Sequence, residues 1–272
     1  MQSALDFEDY LLGQGFADRT VTEYAKWARR LARWAERHDL NTAQLQPHHI
    51  RRWVDETVPP SRESRKQAHA AVRHLYTMLG HDGQPWTAIR VPRKRPGRPH
   101  PLTEPERRRL LDVAQLHGGP PGVAVVGLLQ TAARASEACM WRWDGIGEDR
   151  LRFWRPKTRD WHEVPLRPLL ASMLDEVKPA WVEGFIFPGS RGRQWVSYQA
   201  LYDWVRHIAD LAEVPKVSPH RLRATAISRV LESTGSIDIA AELAGHLDPS
   251  VTRNYYAATS WARLAEGTVA LD

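Results

Sequence analysis

The sequence predicts a mainly α protein with two domains, a helical bundle followed by a second helical domain that contains a small antiparallel β-sheet. Three observations support this fold class. Apolar residues recur at helical spacing through the N-terminal third of the chain. A segment rich in Pro and Gly then interrupts the pattern, and residues 151–166 later alternate apolar and polar side chains around a turn. A chain of 272 residues is long enough for each domain to bury a core.

The N-terminal domain, residues 1–82, is predicted to contain four helices. The first contains Phe7, the second begins at Thr20, the third follows Pro47, and the fourth spans 64–79. Cations outnumber acids on their polar faces, which fits either a solvated bundle or a surface that grips DNA. These cations are Arg19, Lys26, Arg29, Arg30, Arg33, Arg51, Arg52, Arg62, Arg65, Lys66 and Arg73.

Residues 83–101 are predicted to be a linker without regular structure, because Pro and Gly dominate the segment. The stretch from Arg90 to Pro101 holds several cations and no acid. A basic segment that proline residues stiffen is suited to lie along a phosphate backbone. An ordinary exposed linker would have the same composition. The candidate DNA contacts are Arg93, Lys94 and Arg95 here, and Arg191 and Arg193 in a later basic loop.

The second domain, residues 102–272, is predicted to begin with a helix that a capping box starts, because Glu106 follows Thr103 by three residues. Residues 123–130 are apolar on nearly all sides and predict a buried central helix. Arg134 comes directly after that helix. Because a buried guanidinium needs an anionic partner, we expect it to bind either Glu137 or a substrate phosphate.

A β-hairpin is predicted from the alternating residues 151–154 and 162–166, with Lys157 at its exposed bend. A helix is expected at about 197–213. Another begins at Ser218, whose side chain caps it. This start puts His220 and Arg223 three residues apart on one helical face.

A short helix over residues 240–244 is predicted to stop at Gly245, with His246 at its exposed end. Residues 248–250 begin another turn, on which Tyr255 falls. Two histidines, an arginine and a tyrosine near helix ends suggest a site built for a phosphate.

As a set, these residues resemble the tyrosine recombinase (phage integrase) family. The matching pieces occur in the family's order, which makes chance a poor explanation. They are Arg134 with Glu137 in Thr-Ala-Ala-Arg-Ala-Ser-Glu, Lys157 in Pro-Lys-Thr, His220 with Arg223 in His-Arg-Leu-Arg, His246 in Gly-His, and Tyr255. One departure is Ala-Ala where the family has Gly-Leu before the arginine, a change that could shift the local packing.

The resemblance implies an N-terminal core-binding domain of the SAM-like type and a catalytic domain of mainly α structure. It also implies a site-specific DNA recombinase that cuts and rejoins strands through a 3′-phosphotyrosyl intermediate. In that scheme Tyr255 attacks the phosphorus and Lys157 protonates the leaving 5′-oxygen. Tyr256 is the rival nucleophile, and Tyr255 is preferred because its spacing from His246 fits the family.

The remaining implied catalytic residues bind the phosphate or move protons. Arg134 and Arg223 clamp the non-bridging oxygens, because a planar guanidinium offers two parallel donors. His220 assists proton transfer and His246 donates a hydrogen bond to the phosphate. No metal or other cofactor is expected, since the sequence shows no phosphate-binding loop, no His-Glu-x-x-His motif and no paired cysteines.

The expected partner is double-stranded DNA, on which the resemblance implies a homo-tetramer at paired sites. A formal net charge of +6 and a pI near 9.7 suit an anionic polymer. The C-terminal tail, with Trp261, Leu264 and Val269, is expected either to dock on a neighbouring protomer or to fold back on its own domain.

A cytoplasmic, soluble protein is expected, without membrane association. Cys139 is the sole cysteine, so no intramolecular disulfide can form. The first residues lack the pattern of a signal peptide, and the longest apolar run, Val123–Leu129, is too short to cross a bilayer.

Three alternatives remain beside the recombinase. A non-catalytic DNA-binding regulator on the same scaffold would not need Tyr255, and a type IB topoisomerase would relax supercoils without a specific site. A metal-dependent nuclease is disfavoured because no carboxylate cluster is evident. The residues leave open whether the biological role is prophage integration and excision, plasmid resolution or chromosome dimer resolution.

Overall fold

A computed structural model of the protein describes residues 2–81, 83–93, 100–180, 183–190 and 192–246. The chain divides into two compact units, Met1–Arg95 and Pro96–Asp272. The expected fold class, mainly α with a small antiparallel sheet, is confirmed. The predicted features at 248–250, Tyr255, Tyr256 and the C-terminal tail lie outside the described residues.

Four α-helices build the N-terminal unit around three large aromatic side chains. Trp34, Trp53 and Tyr76 are completely buried, and their rings account for much of the apolar surface removed from water. The indole of Trp34 donates to Glu56 at 2.6 Å, and the hydroxyl of Tyr76 donates to the carbonyl of Thr42 at 2.6 Å. The helices are α1 (Gln2–Gly13), α2 (Asp18–Glu36), α3 (Pro47–Thr57) and α4 (Arg62–Met78), with a 3-10 turn at Thr42–Gln44.

One expectation for the linker is wrong, because Pro85–Ala88 forms a 3-10 helix. Proline is favourable at the start of a helix, where its missing N–H needs no partner. The buried side chains of Pro85 and Ile89 hold this turn within the N-terminal unit. A segment rich in Pro and Gly can therefore still contain a short regular element.

In the described part of the second unit, a central helix is surrounded by other helices, with a β-hairpin at the side. Its elements are α5 (Glu104–His117), α6 (Gly119–Thr131), α7 (Ala135–Ala138), β1 (Arg150–Arg155), β2 (Asp160–Pro165), α8 (Pro168–Val177), α9 (Tyr198–Leu211), α10 (Pro219–Thr234) and α11 (Ile237–Ala244), with a 3-10 turn at Trp143–Gly145. The capping box at Thr103 and Glu106 is confirmed. Helix α8 was not predicted.

Helix α6 is the centre of this unit, and helices α5, α8, α9 and α10 pack around it. Two glycines allow the neighbours to approach closely. A Cβ atom at Gly127 would lie 2.6 Å from the ring of Trp141, and one at Gly122 would overlap the carbonyl oxygen of Ala114. The buried helix predicted at 123–130 is therefore confirmed, and it begins four residues earlier, at Gly119.

The hairpin pairs β1 and β2 in antiparallel register, from Arg150 opposite Pro165 to Arg155 opposite Asp160. Residues 156–159 form the turn, in which Arg159 adopts a left-handed conformation at φ 55° and donates its N–H to the carbonyl of Arg155 at 2.8 Å. Within the described part of the chain, no helix has the length and apolar character required to cross a membrane.

Candidate active site

Arg134 lies at the junction between α6 and α7, where the chain changes direction. Ala132 ends α6 in a left-handed conformation at φ 53°, and Arg134 is the extended residue that starts α7. Glu137 accepts hydrogen bonds from the Arg134 backbone N–H and guanidinium, both at 2.7 Å. The side chain of Arg134 keeps 27% of its surface exposed, so it can also reach an incoming anion.

The carboxylate of Glu137 also neutralises a second arginine. It is 2% exposed and lies 3.9 Å from Nη1 of Arg223. Two cations near one buried anion make a site with net positive charge, which favours an anionic ligand.

Arg223 is a buried residue of α10, with only 5% of its surface exposed. Its Nη1 donates to the carbonyl oxygen of Ala132, and its Nη2 donates to that of Ala244 at 2.7 Å. Nη2 also lies 3.1 Å from Nε2 of His246. Because a guanidinium has no acceptor, Nε2 of His246 accepts this bond and the imidazole proton resides on Nδ1.

The C-terminal end of α11 binds three side chains through consecutive carbonyl groups. His162 contacts the carbonyl of Leu243 at 3.2 Å, Arg223 donates to Ala244, and Arg155 donates to Gly245 at 2.8 Å. The last carbonyls of a helix lack partners within the helix and carry partial negative charge, so cations bind there favourably. This helix end therefore collects the groups of the candidate site.

His246 follows this helix end and is half-buried, whereas the sequence predicted an exposed position. Gly245 caps α11 in a left-handed conformation at φ 59°, as predicted for a glycine that stops a helix. Burial and, after it, the charges of Arg223, Arg134, Lys157 and Arg155 together lower the pKa of His246 to about 4. The imidazole is therefore neutral at physiological pH in the free protein.

Lys157 is exposed in the hairpin turn, where the sequence predicted it. Its charge is among those that lower the pKa of His246, which places the ammonium in the electrostatic environment of the site. The neighbouring hydroxyl of Thr158 donates to Asp160, so the turn has a defined side-chain contact of its own.

His220 is in the first turn of α10 and is exposed, in contrast to the buried Arg223. Their spacing of three residues within α10 is as predicted, although the buried Arg223 and the exposed His220 differ in their access to solvent. Ser218 caps α10 by accepting a hydrogen bond from the N–H of Arg221 at 3.2 Å, as predicted.

Three residues that the sequence analysis did not identify contribute to the site, namely Arg155, Asp160 and His162. The alternation of β1 offered a signal for Arg155, because it lies on the same face of the strand as the buried Leu151 and Phe153. Burial lowers the pKa of His162, and its Nε2 donates to the carbonyl of Leu243.

Two candidate DNA contacts, Arg93 and Arg193, are exposed. The other three candidates, Lys94, Arg95 and Arg191, lie outside the described residues, as does Tyr255. The described groups thus provide cations and a neutral imidazole around one position. Such a set can bind a phosphate and stabilise negative charge that develops on it.

The sequence profile of the Phage integrase family matches residues 102–261, which is more than half of the chain and includes Tyr255. The chain belongs to the phage integrase family. A second profile, described as the N-terminal SAM-like domain of phage integrases, matches residues 5–83. The resemblance seen in the sequence is thereby confirmed, and the chain is a site-specific tyrosine recombinase, an enzyme that cleaves and rejoins DNA through a phosphotyrosine intermediate.

Proteins described as tyrosine recombinases match this chain along nearly its whole length. Tyrosine recombinase XerC of Xanthomonas axonopodis pv. citri (strain 306) is 27% identical in an alignment 282 positions long, gaps included, which covers 94% of this chain and 92% of the relative. Tyrosine recombinase XerC of Mycobacterium sp. (strain JLS) is 27% identical in an alignment 284 positions long, which covers 94% of each protein.

Solved structures share the fold of this integrase at low sequence identity. The XerH site-specific recombinase bound to its difH substrate, a pre-cleavage complex, gives a TM-score of 0.71 at 15% identity over 93% of this chain and 79% of that one. A lambda integrase tetramer bound to a Holliday junction gives 0.69 at 17% identity over 92% and 77%. These similarities show that the fold is that of tyrosine recombinases.

Proposed function

We propose that this integrase cuts and rejoins double-stranded DNA with a site composed of six residues. They are Arg134, Lys157, His220, Arg223, His246 and Tyr255. One observation carries the proposal: Arg134 and Arg223 meet at the buried carboxylate of Glu137, and Arg223 also contacts His246. Residues far apart in the sequence thereby surround one position with positive charge.

In the proposed cleavage step the phenolic oxygen of Tyr255 forms a bond to phosphorus and the bond from phosphorus to the 5′-oxygen breaks. His220 assists transfer of the phenolic proton, and Lys157 gives a proton to the leaving 5′-oxygen. The products are a 3′-phosphotyrosyl ester and a free 5′-hydroxyl. Because the ester retains the energy of the broken bond, a second 5′-hydroxyl can reverse the step and join a new strand.

The arginines and His246 stabilise the transition state, in which negative charge builds on the non-bridging oxygens. Arg134 is the more exposed of the two arginines and provides direct donors. The buried Arg223 contributes its positive charge and donates a hydrogen bond to Nε2 of His246. That contact leaves the proton on Nδ1, which supplies the hydrogen bond from His246 to the phosphate.

We propose double-stranded DNA as the partner and a homo-tetramer on paired sites as the working assembly, in the cytoplasm. The relatives support this, since a lambda integrase is a tetramer on a Holliday junction. The N-terminal unit contributes a cleft of about 680 Å³ with Lys26, Arg30, Arg33 and Arg37 in its lining. Cations clustered around one cleft favour a phosphate backbone.

The test is a suicide-substrate assay with nicked DNA from the locus that encodes the protein, in the presence of EDTA. The wild type is expected to form an adduct with DNA that survives denaturation. Tyr255→Phe is expected to form none, because it lacks the attacking oxygen, and the matched variant Tyr256→Phe is expected to retain the adduct.

Other outcomes would overturn parts of the proposal. An adduct with Tyr255→Phe but not with Tyr256→Phe would move the nucleophile to Tyr256. An adduct that appears only with added divalent metal would contradict the metal-independent scheme. Tight DNA binding without any adduct would indicate a regulator, and relaxation of supercoils without site preference would indicate a topoisomerase.

A further inference from the structure

A series of hydrogen bonds connects the turn that carries Lys157 with the turn that carries His246. The Nη1 of Arg155 donates to the carbonyl of Gly245 at 2.8 Å. Its Nε donates to Oδ1 of Asp160 at 3.0 Å, and its Nη2 donates to Oδ2. The hydroxyl of Thr158 donates to the same carboxylate. The series, which we call the hairpin clasp (Gly245, Arg155, Asp160, Thr158), thus ends next to Lys157 on one side and next to His246 on the other.

We propose that Arg155 is a positioning residue, which holds the Lys157 turn against the end of α11 so that Lys157 and His246 act on the same DNA phosphate. The inference rests on the roles proposed above for those two residues. We assign Arg155 no contact with DNA, because it is only 5% exposed and its guanidinium already binds Asp160 and the carbonyl of Gly245.

The geometry of the clasp suits a guanidinium and no other cation. Three nitrogens of Arg155 point to two acceptors on different elements, the carboxylate of Asp160 on β2 and the carbonyl of Gly245 after α11. A planar fork reaches both at once, whereas an ammonium is a point charge on a flexible stem. The bonds from Arg155 and Thr158 lower the pKa of Asp160 to about 2, so the carboxylate remains ionised at neutral pH.

The opposite end of the clasp requires a glycine. A Cβ atom at Gly245 would overlap the guanidinium of Arg155. The backbone of Gly245 is also left-handed, at φ 59°, where a side chain is disfavoured. His162 adds a second tether from β2 to the carbonyl of Leu243. The hairpin is therefore fixed to the end of α11 at two carbonyls, those of Leu243 and Gly245.

Positioning matters here because Lys157 is exposed at the bend of a four-residue turn. A proton donor must come within about 2.6–3.2 Å of the oxygen it protonates. A long flexible side chain on an untethered turn would spend little time there. The clasp restricts the turn and leaves the lysine side chain itself free to reach DNA.

The leaving group provides a readout that a merely structural role would not change. After the wild-type adduct has located the scissile phosphate, the 5′-bridging oxygen is replaced by sulfur. A thiolate is a good leaving group without a proton, so cleavage of the sulfur substrate does not need a general acid. A variant that lost only the proton donor is therefore rescued by sulfur, whereas one that lost DNA binding or folding is not.

The variants are Lys157→Ala, Arg155→Ala and, as a matched control, Arg152→Ala. Arg152 lies three residues away on the outer face of β1, where it stacks on Trp161 at 4.6 Å. Arg155→Ala is expected to slow adduct formation on the oxygen substrate about 100-fold, as expected for a misplaced catalytic group. On the sulfur substrate it is expected to approach the wild-type rate, as Lys157→Ala does. Arg152→Ala is expected to resemble the wild type on both.

The two proposals fail in different ways. If sulfur rescues Lys157→Ala but Arg155→Ala remains slow on both substrates, the positioning role is wrong while the role of Lys157 stands. If sulfur does not rescue Lys157→Ala, the general acid is misassigned and the inference about Arg155 falls with it. Should Arg155→Ala unfold, as thermal denaturation will show, Arg155→Lys and Asp160→Asn undergo the same comparison with the same expected rescue.

Discussion

Glu137 holds Arg134 at two points, since its carboxylate accepts from both the backbone N–H and the guanidinium of that residue. The first contact starts helix α7, and the second fixes the direction of the arginine side chain. Because the same carboxylate lies 3.9 Å from Arg223, one buried anion offsets the repulsion between two cations of the candidate site. The backbone geometry and the charge of the site thus depend on one residue.

Glu137→Gln is expected to lower the free energy of unfolding by about 3 kcal/mol, because it leaves two arginines beside a neutral amide in a buried site. It is also expected to slow adduct formation about 100-fold, since Arg134 loses its orientation. Urea unfolding of the free protein measures the first effect, and the suicide-substrate assay measures the second.

Glu163→Gln is the matched control for Glu137. Glu163 is exposed on β2, 3.5 Å from Arg150 and 3.7 Å from Arg152. Exposed ion pairs contribute little, so its unfolding free energy is expected to change by no more than about 0.5 kcal/mol, with no effect on the adduct. Equal losses for the two variants would contradict the role assigned to Glu137.

Local rules were sufficient for the elements that local chemistry determines. Thr103 and Glu106 form the predicted capping box, and Gly245 ends α11 as predicted, because each rule concerns residues within one turn. The hairpin was also predicted, since its alternation is visible over a few residues.

The parts that were missed depend on contacts distant in sequence. Among the partners of Arg223 and Arg155 are the backbone carbonyls of Ala132, Ala244 and Gly245. Because every residue has a backbone carbonyl, the sequence gives no sign of which ones will bind an arginine. His246 was expected to be exposed because the end of a short helix is usually solvated. Its burial follows from the docking of the hairpin and α10 against that helix end, which no local pattern records.

The titration of His246 offers a direct test of the site's electrostatics. Burial and the neighbouring cations hold its pKa at about 4, below the ordinary value of about 6.5. The imidazole signal in an NMR titration of the free protein is therefore expected to have its midpoint near pH 4, and His246→Gln identifies that signal. A phosphate of bound DNA is expected to raise the midpoint. A midpoint near 6.5 in the free protein would contradict both the burial of this residue and the influence of the cations on it.

The same shift predicts how stability depends on pH. Between about pH 6.5 and pH 4 the unfolded chain binds a proton at His246 that the folded protein does not, so the stability decreases as the pH falls through this window. His246→Gln removes this contribution, and its unfolding free energy is expected to decrease less over the window than that of the wild type. If the unfolding free energies of the wild type and His246→Gln change in parallel with pH, the lowered pKa of His246 is contradicted.

Arg221 is expected to stabilise the start of the catalytic unit. Its guanidinium donates to the carbonyls of His100 and Pro215, at 3.0 and 2.8 Å, and to Glu106 at 3.2 Å. Arg221→Ala is expected to lower the free energy of unfolding by about 2 kcal/mol, because several acceptors lose their donor together. Arg229→Ala, on the same helix, removes an exposed ion pair with Glu104. This variant is expected to change the free energy of unfolding by no more than about 0.5 kcal/mol. Chemical denaturation of both variants decides whether the two residues differ.

Gly245→Ala is expected to affect both stability and cleavage, since its methyl group would displace Arg155. Gly235→Ala is the matched control. Gly235 caps α10 at φ 68° and has no atom near the position of an added Cβ. Gly235→Ala is therefore expected to lower the free energy of unfolding only by the cost of placing alanine in a left-handed conformation, about 1 kcal/mol. Gly245→Ala is expected to cost clearly more in urea unfolding and to slow adduct formation, while Gly235→Ala leaves the adduct rate unchanged. Equal costs would show that the guanidinium moves aside freely.

The salt dependence of DNA binding tests the basic cleft of the N-terminal unit. Lys26 and Arg33 line that cleft and are exposed. Each cation that neutralises a phosphate releases counterions, so each alanine substitution is expected to reduce the slope of log K against log salt by about 1. Arg52→Ala is the control in the same unit, because Arg52 is already paired with Glu56 at 2.7 Å and is less available to neutralise a phosphate. Filter binding over a range of salt concentrations gives the slope for the wild type and for each of the three variants. If Lys26→Ala and Arg33→Ala keep the wild-type slope, the cleft faces solvent in the complex and the backbone contacts lie elsewhere.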